Sequence, residues 1–147
     1  MKVYVAGPLF SSAEKAFNLK VDRYLRRIGF ETFLPQRDGF LMSNLLKERV
    51  SEEEARRRIF SRDLDEIKSS EVILFIIDGR VPDEGACVEI GIGYALRKEC
   101  VGLKTDTRSL ARGADNPMIT GTLRGGVARS LSELRRLLTS LKETSGL

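Results

Sequence analysis

Residues 71–78 read EVILFIID, six unbroken apolar residues from Val72 to Ile77 held between two acids. Such a run is too short for a typical helix, and it is rich in β-branched and aromatic side chains that fit a pleated surface. A strand that is apolar on every residue rather than every second one is buried on both faces, as in a parallel sheet covered by helices. Asp78 follows at once, and the chain then runs GRVPDEGACVEIGIGYALRKECVGL to Leu103. This segment reads as a loop, a helix from Asp83 to about Lys98, and a further strand in CVGLKTD (100–106).

The same alternation extends outward in both directions. Toward the N-terminus, KVYVAG (2–7) is a β-rich run ending at Gly-Pro. It precedes a helical stripe of Ala13, Ala16, Phe17, Leu19, Tyr24, Leu25 and Ile28, with Ser11 or Ser12 as N-cap and Gly29 as C-cap. FETFLP (30–35) reads as a second strand, and the stretch from Phe40 to Ser70 as one or two helices. At the far end SLSELRRLLTSL (130–141) is amphipathic, with Leu131, Leu134, Leu138 and Leu141 on one face. Four strands are clear, and a fifth is expected between Asn116 and Gly126. Strands alternating with helices predict an α/β sandwich, a parallel sheet of four to five strands with helices on both faces. Ligands of such sheets sit beyond the carboxyl ends of the strands. The places to search are therefore after Ala6, Pro35, Ile77 and Leu103.

A chain of 147 residues with 41% hydrophobic and 31% charged side chains has the size and balance of one compact domain, taken here as residues 1–147. The apolar run of MKVYVAGP is short for a signal peptide, and no segment nears the roughly 20 apolar residues of a membrane span. The expectation is a cytoplasmic protein without a membrane partner. Cys87 and Cys100 are widely spaced in apolar surroundings and read as buried small side chains. The sequence contains no His, so nucleophile pairs and metal sites built on imidazole are excluded, and acid–base chemistry falls to Asp, Glu, Tyr, Lys or Cys. A net charge of +4 would suit an anionic partner. The basic residues are nonetheless interleaved with acids, as in SEEEARRRIFSRDLDEIK (51–68), where they pair along a helix face, so no nucleic-acid partner is expected.

The chemistry concentrates in the helix after Asp78. Its GIGYAL (91–96) is no dinucleotide fingerprint, because it lacks a third glycine and lies inside a helix rather than at a strand-to-helix turn. Gly91 and Gly93 each cost about 1 kcal/mol against Ala there, which implies a close approach to the sheet or to a neighbouring subunit. Asp83 and Glu84 fit capping and dipole roles. Glu89 flanks an apolar face expected to comprise Val88, Gly91, Ile92 and Ala95, and the nearby helix start is expected to keep its carboxylate ionised. Asp63, in SRDLDEI (61–67), borders inward-facing Leu64 and Ile67 and reads equally well as an acid paired with Arg62. Two carboxyls in one cleft, one ionised and one protonated, can cleave a glycosidic bond, but periodicity alone does not show that these two converge.

Three blocks, VYVAGPLFSSAEKAFN (3–18), RDLDEIKSSEVILFIIDGRVPDEGACVEIGIGYAL (62–96) and DNPMI (115–119), together resemble the nucleoside 2-deoxyribosyltransferase family. The resemblance implies a flavodoxin-like sheet and exchange of nucleobases on 2′-deoxyribose without a cofactor. It makes Glu89 the nucleophile, Asp63 the acid that assists the leaving base, and Tyr4 the hydrogen-bond donor to the nucleophile. Gly7 and Phe10 fall in the substrate pocket, and Asp83 and Asn116 grip the 5′-hydroxyl. In the family that Asn comes from a neighbouring subunit, which implies a homo-oligomer acting on a deoxynucleoside and a free nucleobase. A related family hydrolyses 2′-deoxynucleoside 5′-monophosphates and carries a small hydroxyl residue where Asp83 stands; Ser11 and Ser12 keep phosphate binding open. A non-catalytic nucleotide-binding module is the third reading. The chain ends ETSGL (143–147), without the terminal aromatic carboxylate some members place over the base. Arg108 and Arg112 lie in an expected loop near the site and receive no role.

Overall fold

A computed structural model describes residues 1–107 and 115–146. The chain runs β1 (Lys2–Ala6), α1 (Ser12–Arg27), β2 (Glu31–Phe33), α2 (Pro35–Asp38), α3 (Met42–Lys47) and α4 (Glu52–Ser69). It continues through β3 (Val72–Ile76), α5 (Glu84–Ala95), β4 (Glu99–Leu103), α6 (Pro117–Thr120), β5 (Val127–Ala128) and α7 (Leu131–Thr144). All strand pairs are parallel, in the order β2-β1-β3-β4-β5. This is the flavodoxin-like order, whose winding reverses between β1 and β3.

The apolar run of β3 serves two cores at once. Val72, Leu74 and Ile76 join Val3 and Val5 of β1 in one cluster with α1 and α7, including Val21, Leu25, Leu134 and Leu138. Ile73, Phe75 and Ile77 join Tyr4 and Ala6 in a second with Ile67 of α4 and Ala86 and Ile90 of α5. Alternation along a strand sends neighbouring residues to opposite faces, so β3 is buried throughout because each face has its own helical layer.

The structure corrects several expectations. The fifth strand lies just beyond the anticipated window, at Val127–Ala128, where Gly102 N–H and Lys104 N–H of the β4 side donate to Gly126 O and Ala128 O, both at 2.9 Å. In α1 the N-cap is Ser11 and the C-cap is Ile28, with Gly29 one residue further on at φ +89. Its buried face is Asn18, Val21, Asp22 and Leu25, while Ala13 and Ala16 are exposed. The two polar members are buried because each has partners there: Arg26, Arg37 and Thr32 around Asp22, and Pro8 O and Gln36 around Asn18.

Candidate active site

Helix α5 follows β3 after the loop of residues 77–83, beside the β1/β3 switch. Asp83 is its N-cap, with Oδ2 accepting from Ala86 N–H at 2.7 Å. The buried face is Ala86, Ile90 and Gly93, not the expected Val88, Gly91, Ile92 and Ala95; Val88 is largely exposed. Gly93 explains the seating of the helix, because a Cβ there would stand 2.6 Å from Ile73 Cγ1 of β3. Gly91 has open space around its missing side chain, so close approach to the sheet accounts for one of the two glycines only. With this rotation Glu89 reaches Tyr4 in the middle of β1.

There Tyr4 Oη donates to Glu89 Oε1 at 2.7 Å. The tyrosine ring is fully buried and stacks on Phe33 at 5.4 Å between centroids, so its hydroxyl is held in place from behind. Burial raises the Glu89 pKa to about 7; the Tyr4 hydrogen bond pulls it down, and the charges of Asp63 and Asp83 push it up. The expected ionising influence of the helix start is overcome, since Glu89 lies beyond the first turn, where that influence fades. Asp63 of α4 is raised to about 6, again chiefly by burial, with Arg62 lowering it and Glu66 raising it. Arg62 makes its ion pair with Glu66 at 3.0 Å and lies over the Phe33 ring. The Tyr4 hydroxyl is raised far above its ordinary range by burial first and then by Glu89 and Asp63, so it remains a donor.

Asp63 and Glu89 both line a cavity of about 380 Å³ between α4 and α5. Its other walls are mainly apolar, including Met42, Ile59, Phe60, Ile67 and Val88. Two carboxyls thus face an apolar space, both raised by burial toward neutrality; with Glu89 at about 7 and Asp63 at about 6 a shared proton rests first on Glu89, so the pair is tuned to hold and pass one proton. Tyr4 backs Glu89 from the sheet. Gly7, Phe10, Asp83 and Asn116 are not among the cavity's walls. Gly7 follows β1, where a Cβ would come within 3.0 Å of Ile76 Cβ, and Phe10 is largely exposed. Asn116 is exposed and caps α6, accepting from Met118 N–H at 2.9 Å. Arg108 and Arg112 lie outside the described residues.

Sequence reasoning missed the supports of this edge. Asn18 Nδ2 donates to Pro8 O at 2.8 Å and Gln36 Oε1 at 3.0 Å, tying the turn with Gly7 and Phe10 to the segment after β2. Asp78 accepts from Thr105 N–H at 2.6 Å and Asp106 N–H at 3.1 Å, while Asp106 accepts from Gly79 N–H at 2.9 Å, which locks the ends of β3 and β4 together. Cys100 is buried as expected, but Cys87 is only half-buried. Among the described residues no group of three or more His, Cys, Asp or Glu side chains is placed to hold a metal ion. No described helix is long and apolar enough to cross a membrane.

A parallel sheet in this order with paired carboxyls at its switch point defines an α/β protein of the flavodoxin-like class. The chain belongs to the nucleoside 2-deoxyribosyltransferase family, whose sequence profile matches residues 3–135. A search of curated proteins returned no match. Among solved structures, it is similar to a conserved protein from Enterococcus faecalis V583, with TM-score 0.76 and 22% identity over 95% of this chain and 98% of that one. It is also similar to the 2-deoxyribosyltransferase of the psychrotolerant bacterium Bacillus psychrosaccharolyticus, with TM-score 0.73 and 27% identity over 91% of this chain and 90% of that one. A CMP N-glycosidase from Clostridium botulinum shares the fold, with TM-score 0.59 and 16% identity over 95% of this chain and 99% of that one.

Proposed function

We propose that this protein is a nucleoside 2-deoxyribosyltransferase that exchanges nucleobases on 2′-deoxyribose through a covalent ester on Glu89. The observation that carries the reading is the 2.7 Å hydrogen bond from Tyr4 to Glu89 Oε1, at the edge of a cavity that Glu89 shares with Asp63. Tyr4 favours the ionised carboxylate and fixes one oxygen, leaving Oε2 to attack. As the bond from Oε2 to the anomeric carbon forms, the bond to the base nitrogen breaks and its electron pair leaves with the base. The proton that rests on Glu89 in the free enzyme passes to Asp63 as Glu89 ionises against Tyr4, and Asp63 delivers it to the departing base. A second base then attacks the same carbon, the ester oxygen departs as the Glu89 carboxylate, and Asp63 takes back the proton. Two displacements return the original configuration.

Hydrogen-bond inventory favours a nucleoside over its 5′-monophosphate. Asp83 spends Oδ2 on Ala86 N–H and keeps a second acceptor oxygen, whereas Asn116 spends Oδ1 on Met118 N–H and keeps its Nδ2 donors. A hydroxyl can donate to the first and accept from the second; a phosphate dianion has no proton for Asp83 and is repelled by it. The N-terminus of α1 is similarly occupied. Glu14 Oε2 accepts from Phe10 N–H at 3.0 Å and Ser11 N–H at 2.7 Å, where a phosphate would otherwise bind. The family resemblance gives Asn116 to the site of a neighbouring subunit, and its exposed position leaves it open to a second copy, which fits a homo-oligomer.

The test is chromatography of purified protein incubated with deoxyinosine, with and without free adenine, beside the same reactions on deoxyinosine monophosphate. Deoxyadenosine formed from deoxyinosine only when adenine is present is the expected result. Free hypoxanthine without exchange would make the protein a hydrolase. Asp83→Ser is expected to weaken nucleoside use and shift the preference toward the monophosphate; an unchanged preference would contradict the 5′-hydroxyl assignment.

A further inference from the structure

Beyond β4 the chain buries a lysine. Lys104 is only 4% exposed, and its ammonium pairs with the carboxylate of Asp115, itself largely buried. Both flanks of Lys104 are anchored: its own N–H donates to Ala128 O of β5 at 2.9 Å, and Thr105 N–H and Oγ1–H donate to Asp78 at 2.6 and 2.5 Å. Lys104 is thus a fixed post at the carboxyl edge of the sheet. Asp115 hangs on that post and is followed directly by Asn116. On the other side of Asn116, Ile119 is buried in the core cluster with Leu123 and Ile90. Asn116, although exposed, is therefore held between a buried ion pair and a buried isoleucine.

A buried ion pair is not needed for stability alone, since well-packed apolar residues of similar volume commonly serve as well or better. What the pair adds is direction and register. We propose that the Lys104–Asp115 ion pair positions Asn116 for the substrate's 5′-hydroxyl, making Lys104 a positioning residue of the deoxyribose site. The inference rests on the nucleoside reading above and adds to it a residue that touches neither substrate nor carboxyl pair. It acts through the backbone at Asp115, so its effect must pass through Asn116 and must need the hydroxyl that Asn116 meets.

The experiment compares wild type, Lys104→Met, Asn116→Ala and the double variant on deoxyinosine and on 2′,5′-dideoxyinosine with adenine as acceptor, with melting curves for each. Expected is a rise of about tenfold in KM for deoxyinosine in Lys104→Met, with a smaller change in kcat and little change on the analogue. Lys104→Met should add nothing further in the Asn116→Ala background, because the two act as one unit. Lys104→Arg should recover part of the loss. Equal losses on both substrates, additive losses in the double variant, or an unchanged KM would overturn the positioning role. If Lys104→Met does not fold, Asp115→Asn applies the same comparison from the other partner. Wild-type protein that turns over neither substrate overturns the functional reading itself, and the Lys104 inference with it.

Discussion

Asp22 and Glu89 are two of the carboxylates packed against the sheet of this protein, and their surroundings differ in kind. Asp22 on α1 faces the guanidinium groups of Arg26 and Arg37 and the hydroxyl of Thr32, all within one polar knot against β2. Among the described residues Glu89 on α5 receives one neutral donor, Tyr4, and the charged neighbours Asp63 and Asp83 share its sign. The first carboxylate is neutralised where it lies and can only hold structure together. The second is kept short of partners beside an apolar cavity, which raises its pKa to about 7 and leaves an oxygen available to react. Isolation of one acid among other acids costs stability, and that cost separates a reactive group from a strut.

Substitutions should therefore have opposite signatures at the two positions. Glu89→Ala is expected to lower base exchange by roughly a thousandfold or more with an unchanged circular dichroism spectrum, because a removed nucleophile has no substitute. Retention of wild-type turnover would remove Glu89 from the chemistry. Asp22→Ala should instead cost about 1 to 3 kcal/mol in denaturant unfolding while leaving kcat of the folded fraction near wild type, since it takes the acceptor from the buried Thr32 hydroxyl and one ion-pair partner from each of Arg26 and Arg37. Tyr4→Phe lies between them. Loss of a hydrogen bond to a charged group should reduce kcat by about tenfold to a hundredfold. It should also move the acid limb of the pH–rate profile upward, because the Tyr4 hydrogen bond lowers the Glu89 pKa.

A subtler difference lies in pH-dependent stability. The Glu89 and Asp63 pKa values in the folded protein, about 7 and about 6, stand above the ordinary 4.5 and 3.8. Such groups favour the folded state most below their ordinary values, and that contribution is lost as the pH rises through 6 and 7. Glu89→Gln should consequently be more stable than wild type at pH 8 in denaturant unfolding, by an amount on the order of 3 kcal/mol, and the gap should close toward pH 4. A gap independent of pH would mean that Glu89 is not a buried acid under strain.

The sheet was legible in the sequence because its central strands are unbroken apolar runs; β5 was not, being two residues long in GGVARS (125–130) with no run to read. The buried face of α5 was misread because Ala, Gly, Val, Ile and Tyr surround that helix on most sides, and only the contact of Gly93 with Ile73 reveals which side meets the sheet. Glu89 and Asp63 could be singled out as acids at the edge of apolar faces, yet their meeting in one cavity depends on how α4 and α5 pack. The Asp22 knot and the Lys104–Asp115 pair join residues on different elements, and no local pattern announces them.

Intact-protein mass spectrometry of enzyme quenched during turnover of deoxyinosine, followed by peptide fragmentation, tests the isolated carboxylate most directly. One deoxyribosyl unit carried on the peptide containing Glu89, absent in Glu89→Gln and discharged by added adenine, is the result predicted here. An adduct on another residue, or steady exchange with no adduct under rapid acid quench, would contradict a Glu89 ester as the path between the two bases.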